Sequence, residues 1–343
     1  MGQRVTIRDV AARAGVSAGA VSLAFNDRPG VSARTRERII EAARELGWSP
    51  SLAARSLARG ARIHTVGLVV SRGTVGIGLD SVHMALIGGI ESVLTERACA
   101  LLLHIAPDTD AEIALYRQWW QSGRVNGSVL VGTSADDPRI AAVHHLGMPA
   151  VAVSPPHLSG PFPAVTTDDA AALTEAVRYL AALGHRRIAH VRGPQNLART
   201  ILRAQAFDSA TAELALHDAP GLHTDLSAHD GARATRTLLA SGQRPTAILY
   251  DNDITAVAGL SVAQEMGLQV PRDLSIVAWD DSDLCTITRP TLSALSHDPF
   301  AVGAEVADCL LELLDRGRAA SRLCGAPVLR PRGSTAPPPP PRG

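Results

Sequence analysis

From residue 65 onward, short apolar runs alternate with stretches of helical spacing, and this rhythm limits the possible folds more than any other feature. Val66–Val70, Ala100–Ile105, Ser128–Val131 and Ala150–Val153 are runs suited to strands buried on both faces. Helical stretches separate them: Ser81 to Glu96, a segment through Trp119, and one opened by Asp137-Pro138. A second series is expected to start with Val165–Thr167 and to continue with Arg187–Val191, Ala247–Tyr250 and Leu274–Ala278. Gly147, Gly184 and Gly267 each follow a helical stretch ending in Leu or Met, where a left-handed cap residue is needed. Such alternation builds doubly wound parallel sheets. Two series predict two lobes, with a crevice at the carboxyl ends of the strands.

The first sixty residues follow a different rule. Thr6-Ile7-Arg8-Asp9 fits a capping box, and Val10, Ala11 and Ala14 continue an apolar helical face that Gly15 ends. Ser17 caps a second helix carrying Ala20, Val21, Ala24 and Phe25. Asn26 to Gly30 is a turn, and a third helix runs from Ser32 through Ile39, Ile40, Ala43 and Leu46 to Gly47. Two short helices joined by a Gly-containing turn and braced by a third predict a helix-turn-helix. Charge agrees. Residues 1–62 hold eleven arginines against five acids, although the whole chain is formally neutral. A basic head on an acidic body points to a polyanionic partner for the head.

Thr6 to Ala11, Ala14 to Ser17, Val21-Ser22 and Ser49 to Leu57 together resemble the head and hinge of the lactose repressor/galactose repressor (LacI/GalR) family. The resemblance implies an all-α helix-turn-helix DNA-binding head (1–48), a hinge helix (49–62) and a periplasmic-binding-protein-like α/β sensor of two doubly wound parallel-sheet lobes (63–335). It places Ala18, Gly19 and Leu23 at base-reading positions of the recognition helix, and Thr6, Ser17, Ser22 and Asn26 on phosphates. Ala18 and Gly19 replace the large polar side chains of other members. They cannot form bidentate bonds to base edges, so close approach or contact with a thymine methyl is the expected mode. In the hinge, Leu57 matches a leucine that wedges into the minor groove, with Arg55 beside it. Taken without the resemblance, residues 49–60 read as a linker, because so short a helix is marginal in water.

The body carries the resemblance further, in Gly184 to Ala189, Val270 to Asp281 and Gly333-Ser334-Thr335. It implies three crossovers between the lobes, expected near residues 163, 295 and 325. Lobe 1 would then hold about 63–163 and 296–325, and lobe 2 about 164–295 and 326–335. It also implies an effector pocket containing Arg203, Asn252 and Asp280, whose guanidinium, amide and carboxylate suit a polyhydroxylated ligand. Arg199, one helical turn before Arg203, favours an anionic ligand or else is a solvated arginine. Trp279 either stacks on a sugar face or is a core aromatic.

Other function classes find little support. All 33 basic residues are arginine, so phosphate-loop and Schiff-base lysines are excluded. Gly73, Gly76 and Gly78 lack the dinucleotide-binding spacing, and no Ser or Cys stands in a nucleophile elbow. Adjacent His144 and His145 point to different helix faces, so no metal site is expected there. Cys99, Cys285, Cys309 and Cys324 form no CxxC pair and read as small hydrophobes. No cofactor is expected. The N-terminus lacks a secretory core, so a cytoplasmic location is expected, and residues 336–343, rich in proline, read as a disordered tail. The reading that results is a homodimeric transcription regulator, a repressor, which binds near-palindromic operator DNA under the control of a carbohydrate effector. A solute-binding protein without gene regulation and an enzyme with an appended head are the alternatives. Export to the periplasm would mark the first, and turnover of a bound sugar the second.

Overall fold

The computed structural model describes residues 5–25, 28–48, 64–71, 81–216 and 219–340. Residues 1–64 and 65–343 form two compact units.

In the first unit, α1 (Ile7–Ala14), α2 (Ala18–Phe25) and α3 (Ala33–Glu45) bury Val10, Ala14, Val21, Ala24, Ile39 and Ala43 in one small core. The Asp9 carboxylate accepts from both the amide and the hydroxyl of Thr6, each at 2.7 Å, and Gly15 closes α1 at φ +63°. The Ser17 hydroxyl accepts from the Ala20 amide at 3.1 Å, which starts α2 after a three-residue turn. Arg36 of α3 donates to the Ala24 carbonyl at 3.1 Å and so ties the end of α2 to the brace. Phe25 meets Trp48 edge-on, with ring centroids 5.3 Å apart.

The second unit contains two six-stranded sheets. The first has the order β11-β5-β4-β3-β1-β2, from β1 (Thr65–Ser71), β2 (Ala100–Ala106), β3 (Gly127–Leu130), β4 (Ala150–Val153), β5 (Ala164–Thr167) and β11 (Arg322–Cys324), all parallel. The second has the order β12-β10-β9-β8-β6-β7, from β6 (Ile188–Arg192), β7 (Gly221–His223), β8 (Ala247–Tyr250), β9 (Ser275–Trp279), β10 (Ser293–Ser296) and β12 (Val328–Arg330). Only the β10–β12 pair among these is antiparallel.

Helices cover both faces of the central strands, which is why their residues are apolar in succession rather than in alternation. The run Ala100–Ile105, expected to be buried, instead lies in the edge strand β2 and leaves Leu103 and Ile105 exposed. In lobe 1, Val66, Leu68 and Val70 of β1 face α4 (Ser81–Glu96) and α12 (Pro299–Arg316), while Val69 faces α5 (Thr109–Gln121) and α6 (Pro138–His145). In lobe 2, Ile248 and Tyr250 face α9 (Ala228–Leu239) and α10 (Asp253–Glu265). Leu249 points the other way, toward α7 (Asp169–Ala182) and α8 (Ala198–Glu213). A short α11 (Asp283–Ile287) follows β9. Gly147, Gly184 and Gly267 all have positive φ, as their cap positions require.

Two expectations need correction. The run 164–167 does not open the second series: β5 pairs with β4 and β11, so it belongs to lobe 1, and the first crossover lies at Asp168 rather than near 163. A buried apolar run does not carry the name of its sheet, and this one is followed directly by a helix of the other lobe. The proline-rich tail is also not disordered at its start. Ala336 donates to Ser275 Oγ at 3.1 Å, its carbonyl accepts from His185 Nε2 at 3.0 Å, and Pro338 lies against Gly184.

Candidate functional site

Two surfaces carry the expected chemistry. On the head, α2 presents Gly19 and Ser22 outward, with Ala18 and Leu23 half-buried at the edges of that face. Ala18 packs against the head's core. A β-carbon on Gly19 would meet only Ser17 Oγ, at 3.7 Å, so the face there is open. Thr6 and Ser17 are exposed at the starts of α1 and α2, where backbone N–H groups and the helix dipole favour phosphate. The Thr6 hydroxyl is already held by Asp9, whose carboxyl is pulled below its usual range by that hydroxyl and by the Thr6 amide. Asn26, Arg55 and Leu57 lie outside the described residues.

The second surface is the crevice between the lobes, which encloses a cavity of about 140 Å³. Lobe 1 gives it an apolar wall of Leu86, Val131, Val153 and Val165, with His83, Thr133 and Thr167 as polar groups. Lobe 2 contributes Asp169 from the start of α7, together with Leu197, Arg199 and Arg203 on and just before α8. His297, on the second crossover, completes the wall.

Arg203 organises the lobe 2 side. Its Nε donates to Asp169 Oδ2 at 2.8 Å and its Nη1 to the Asp251 carbonyl at 3.2 Å. Its guanidinium carbon lies 3.5 Å from the centre of the Trp279 ring. Thr167 donates to the other oxygen of Asp169 at 2.5 Å, so a lobe 1 strand end and a lobe 2 helix hold one carboxylate. Behind them, Asp251 accepts from His190 Nε2 at 2.9 Å and from the Gly193 amide at 2.8 Å. Burial works to raise the Asp251 pKa, but His190, Arg203 and the Gly193 amide prevail and hold it at about 2.

The expected pocket residues divide accordingly. Arg199 and Arg203 reach the cavity wall. Asn252 does not line it. Its Oδ1 accepts from the Thr255 amide at 2.9 Å and its Nδ2 donates to the Leu226 carbonyl at 3.0 Å, so it serves as the cap of α10. Trp279 is buried beneath Arg203 as a core aromatic, and its face is covered. Asp280 stands one layer back, with Oδ1 3.6 Å from His297 Nδ1, and its backbone is left-handed at φ +67°. His83, Thr133, Thr167, Asp169 and His297 were missed by sequence reasoning. Thr167-Asp168-Asp169 did carry a signal, since polar residues at a strand's carboxyl end face the crevice of such sheets.

Two histidines tie stability to pH: His185, buried beside Ser275 and Ala336, and His297, half-buried at the cavity. Burial lowers the pKa of His185, which pairs with Thr246, Ser275 and Ala336. Burial, then the nearby Arg203 and Arg199, lower that of His297. Both bind fewer protons folded than unfolded. Their stabilisation is therefore complete above the ordinary imidazole value of about 6.5 and is lost as pH falls through the lower folded values. The thermal midpoint, recorded from pH 8 to pH 5, is expected to fall below about pH 6.5. A midpoint that rises on acidification over that range would contradict this account.

Comparison with known proteins agrees with the two-part architecture. Residues 6–51 match the bacterial regulatory proteins of the lacI family, and residues 177–335 match the periplasmic binding protein-like domain. The HTH-type transcriptional regulator AglR of Rhizobium meliloti (strain 1021) is 32% identical over 347 residues, covering 98% of this chain and 95% of that protein. Among solved structures, the lac repressor dimer bound to operator and the anti-inducer ONPF is similar, with a TM-score of 0.85 and 26% identity over 97% of this chain and 100% of that one. The transcriptional regulator CelR–cellobiose complex has a TM-score of 0.73 and 26% identity over 96% of this chain and 100% of that one. With a helix-turn-helix head, a two-lobed sensor and relatives matching from end to end, the chain belongs to the lacI family of bacterial regulatory proteins and is a DNA-binding transcription regulator.

Proposed function

We propose that the chain is a cytoplasmic homodimeric repressor that reads a near-palindromic operator and responds to a single-ring or short carbohydrate in its inter-lobe cavity. The observation that carries the effector half is the Thr167–Asp169–Arg203 constellation, which offers acceptors and donors from both lobes around one small hollow. The cavity of about 140 Å³ opens to solvent within the crevice, so a ligand can extend beyond it. The CelR relative binds cellobiose, which supports the chemical class. Residues 1–48 form the reading head in this proposal, and 49–62 the hinge, with Leu57 as wedge and Arg55 beside it. No catalytic step is included, since Asp169 is engaged by Arg203 and Thr167 rather than poised as a base.

The DNA half is tested at Gly19. A Gly19→Glu side chain has room to stand without disturbing the head, yet it places a carboxylate against the duplex. Like-charge juxtaposition at an interface costs several kcal/mol, so affinity for an operator selected from a random library is expected to fall by about 100-fold or more. Fluorescence anisotropy at fixed salt measures it. Unchanged affinity would remove α2 from the groove. Calorimetric titration with glucose, maltose and cellobiose tests the effector half, and silence across such a panel, with the fold intact, would count against a sugar.

A further inference from the structure

Among the described residues, the lobes touch at one place through main chain alone. The Thr133 carbonyl of lobe 1 accepts from the Ala198 amide of lobe 2 at 2.9 Å, and the Ala135 amide donates back to the Asn196 carbonyl at 3.0 Å. Ser134 and Leu197 pair between them as an isolated antiparallel bridge. Open space lies on both sides of this contact. The effector cavity is on one side, and a second hollow of about 190 Å³, lined by Asp108, Asp137, Arg139 and Asn196, is on the other. Gly132 and Leu197 line both hollows.

Each half of the contact is prepared in its own lobe. Ala198 is the first residue of α8, whose cap position, Leu197, supplies no side-chain acceptor. The first amides of a helix have no partner within it. The helix bearing Arg199 and Arg203 thus has its first amide capped by the opposite lobe. In lobe 1, the 131–134 segment is held from behind. Arg139 donates to the carbonyls of Val131 at 3.0 Å and Gly132 at 2.9 Å, and Asp137 accepts from the Ser134 amide at 3.0 Å. Glu112 receives Arg139 Nη1 at 2.9 Å and the Tyr116 hydroxyl at 2.6 Å. The three charged side chains are 4% exposed or less.

Two carboxylates and one guanidinium buried together are poor evidence of a stability device, because desolvation offsets their attraction. Arg139 and Asp137 also bind the backbone of residues 131–134, while Glu112 holds Arg139 in place, which points to positioning. Burial raises the pKa of Glu112 against the pull of Arg139, while Asp137, despite its burial, is held low by Arg139 and by backbone amides.

We propose that Thr133–Ala135 and Asn196–Ala198 form an inter-lobe latch, that Arg139 with Asp137 and Glu112 are its positioning residues, and that its strength sets how readily an effector shifts the lobes. Every group in the latch belongs to the chain, so its closure requires nothing of a ligand. The link to effector response rests on the reading of the cavity given above. The latch itself does not.

Ala198→Pro isolates the contact. Proline is well tolerated at the first position of a helix, and Leu197, at φ −70° and ψ 131°, has the backbone that precedes a proline. The substitution removes one donor and sets the ring against the Thr133 carbonyl. Hydrogen exchange of the full-length protein without added sugar is the readout. The Ala135 and Ala198 amides are expected to be protected in the unsubstituted chain. In Ala198→Pro, exchange at Ala135 is expected to rise by about tenfold, the scale of one lost hydrogen bond with an added clash. Arg139→Lys keeps the charge but cannot span both carbonyls, and it should raise exchange at both amides while the later turns of α8 stay protected. Exchange of both amides at the rate of an unstructured peptide in the unsubstituted protein would overturn the latch, as would no change at Ala135 in Ala198→Pro. Unchanged protection in Arg139→Lys would remove the positioning role. If the latch behaves as expected but glucose, maltose and cellobiose all fail to bind in calorimetry, the cavity reading falls and the latch stands.

Discussion

Replacing Arg203 with alanine is expected to abolish sugar binding and to destabilise the protein by about 3 kcal/mol, the lower end for removing one partner of a buried ion pair. Asp169 would retain Thr167 but lose its countercharge, and the Trp279 face would lose its cover. Asp251 would lose one of the groups that hold its pKa at about 2. A carboxyl depressed in the folded state contributes stability above its ordinary range, and that contribution is lost as pH falls through the folded value. The variant's acid unfolding should therefore begin at a higher pH than that of the unsubstituted chain. Denaturant titration at neutral and acid pH, paired with calorimetry, separates the two effects. Arg203→Lys is expected to recover part of the stability but little of the binding, because an ammonium cannot reproduce the fork that reaches both Asp169 and the Asp251 carbonyl. An alanine variant that binds sugar as tightly as the unsubstituted chain would remove Arg203 from the site.

The second large effect lies in the helix pair behind the apolar wall of the cavity, to which Leu86 belongs. Helices α4 and α12 approach each other so closely that a β-carbon on Gly89 would lie 1.9 Å from the Phe300 carbonyl oxygen, and one on Gly303 would lie 2.1 Å from that of Leu86. The obstacles are backbone atoms, which cannot rotate aside as a side chain can. Overpacking costs about 1–3 kcal/mol where neighbours can adjust, so Gly303→Val should reach or exceed about 3 kcal/mol. The loss should appear in lobe 1, where α12 covers Leu86, Ile90 and Leu94. Gly242→Ala is the control, since a β-carbon there meets nothing within 4 Å. A Gly303→Val protein with an unshifted denaturation midpoint would mean that the helices can separate without consequence.

Much of this molecule was legible before its structure. The apolar runs marked nearly every long strand because a strand covered on both faces has no polar alternation to hide it, as Val66–Val70 and Leu274–Ala278 illustrate. The head was legible because capping is local: Asp9 and Gly15 act within a few residues of themselves. What failed depended on long-range pairing. Val165 reads the same in either sheet, and only its neighbours at Ala150–Val153 and Arg322–Cys324 decide the matter. Ala336 looked like part of a loose tail because nothing nearby announces that His185 and Ser275, far back in the chain, receive it. In the crevice, the family resemblance suggested Asn252, which is occupied in capping a helix, and Trp279, left open between sugar stacking and the core, supports Arg203 from the core. Asp169 and Thr133 went unnoticed because their value lies in facing another lobe, which residue type does not reveal.

The interleaving of the lobes has a consequence for synthesis. Lobe 1 is built from residues 65–167 together with 299–324, and everything between them belongs to lobe 2 or to the crossovers. At ordinary elongation rates, about 7 to 26 seconds separate the emergence of β5 from that of α12. Throughout that interval, the apolar side of the first sheet and the inner face of α4 lack the helix that covers them. Lobe 2 is nearly contiguous and lacks only β12 and the tail, so it has most of its own core in hand when translation reaches residue 298. A nascent chain of this protein thus presents a chaperone with a defined surface for a defined time, and a message cut short before residue 299 yields a lobe that cannot close.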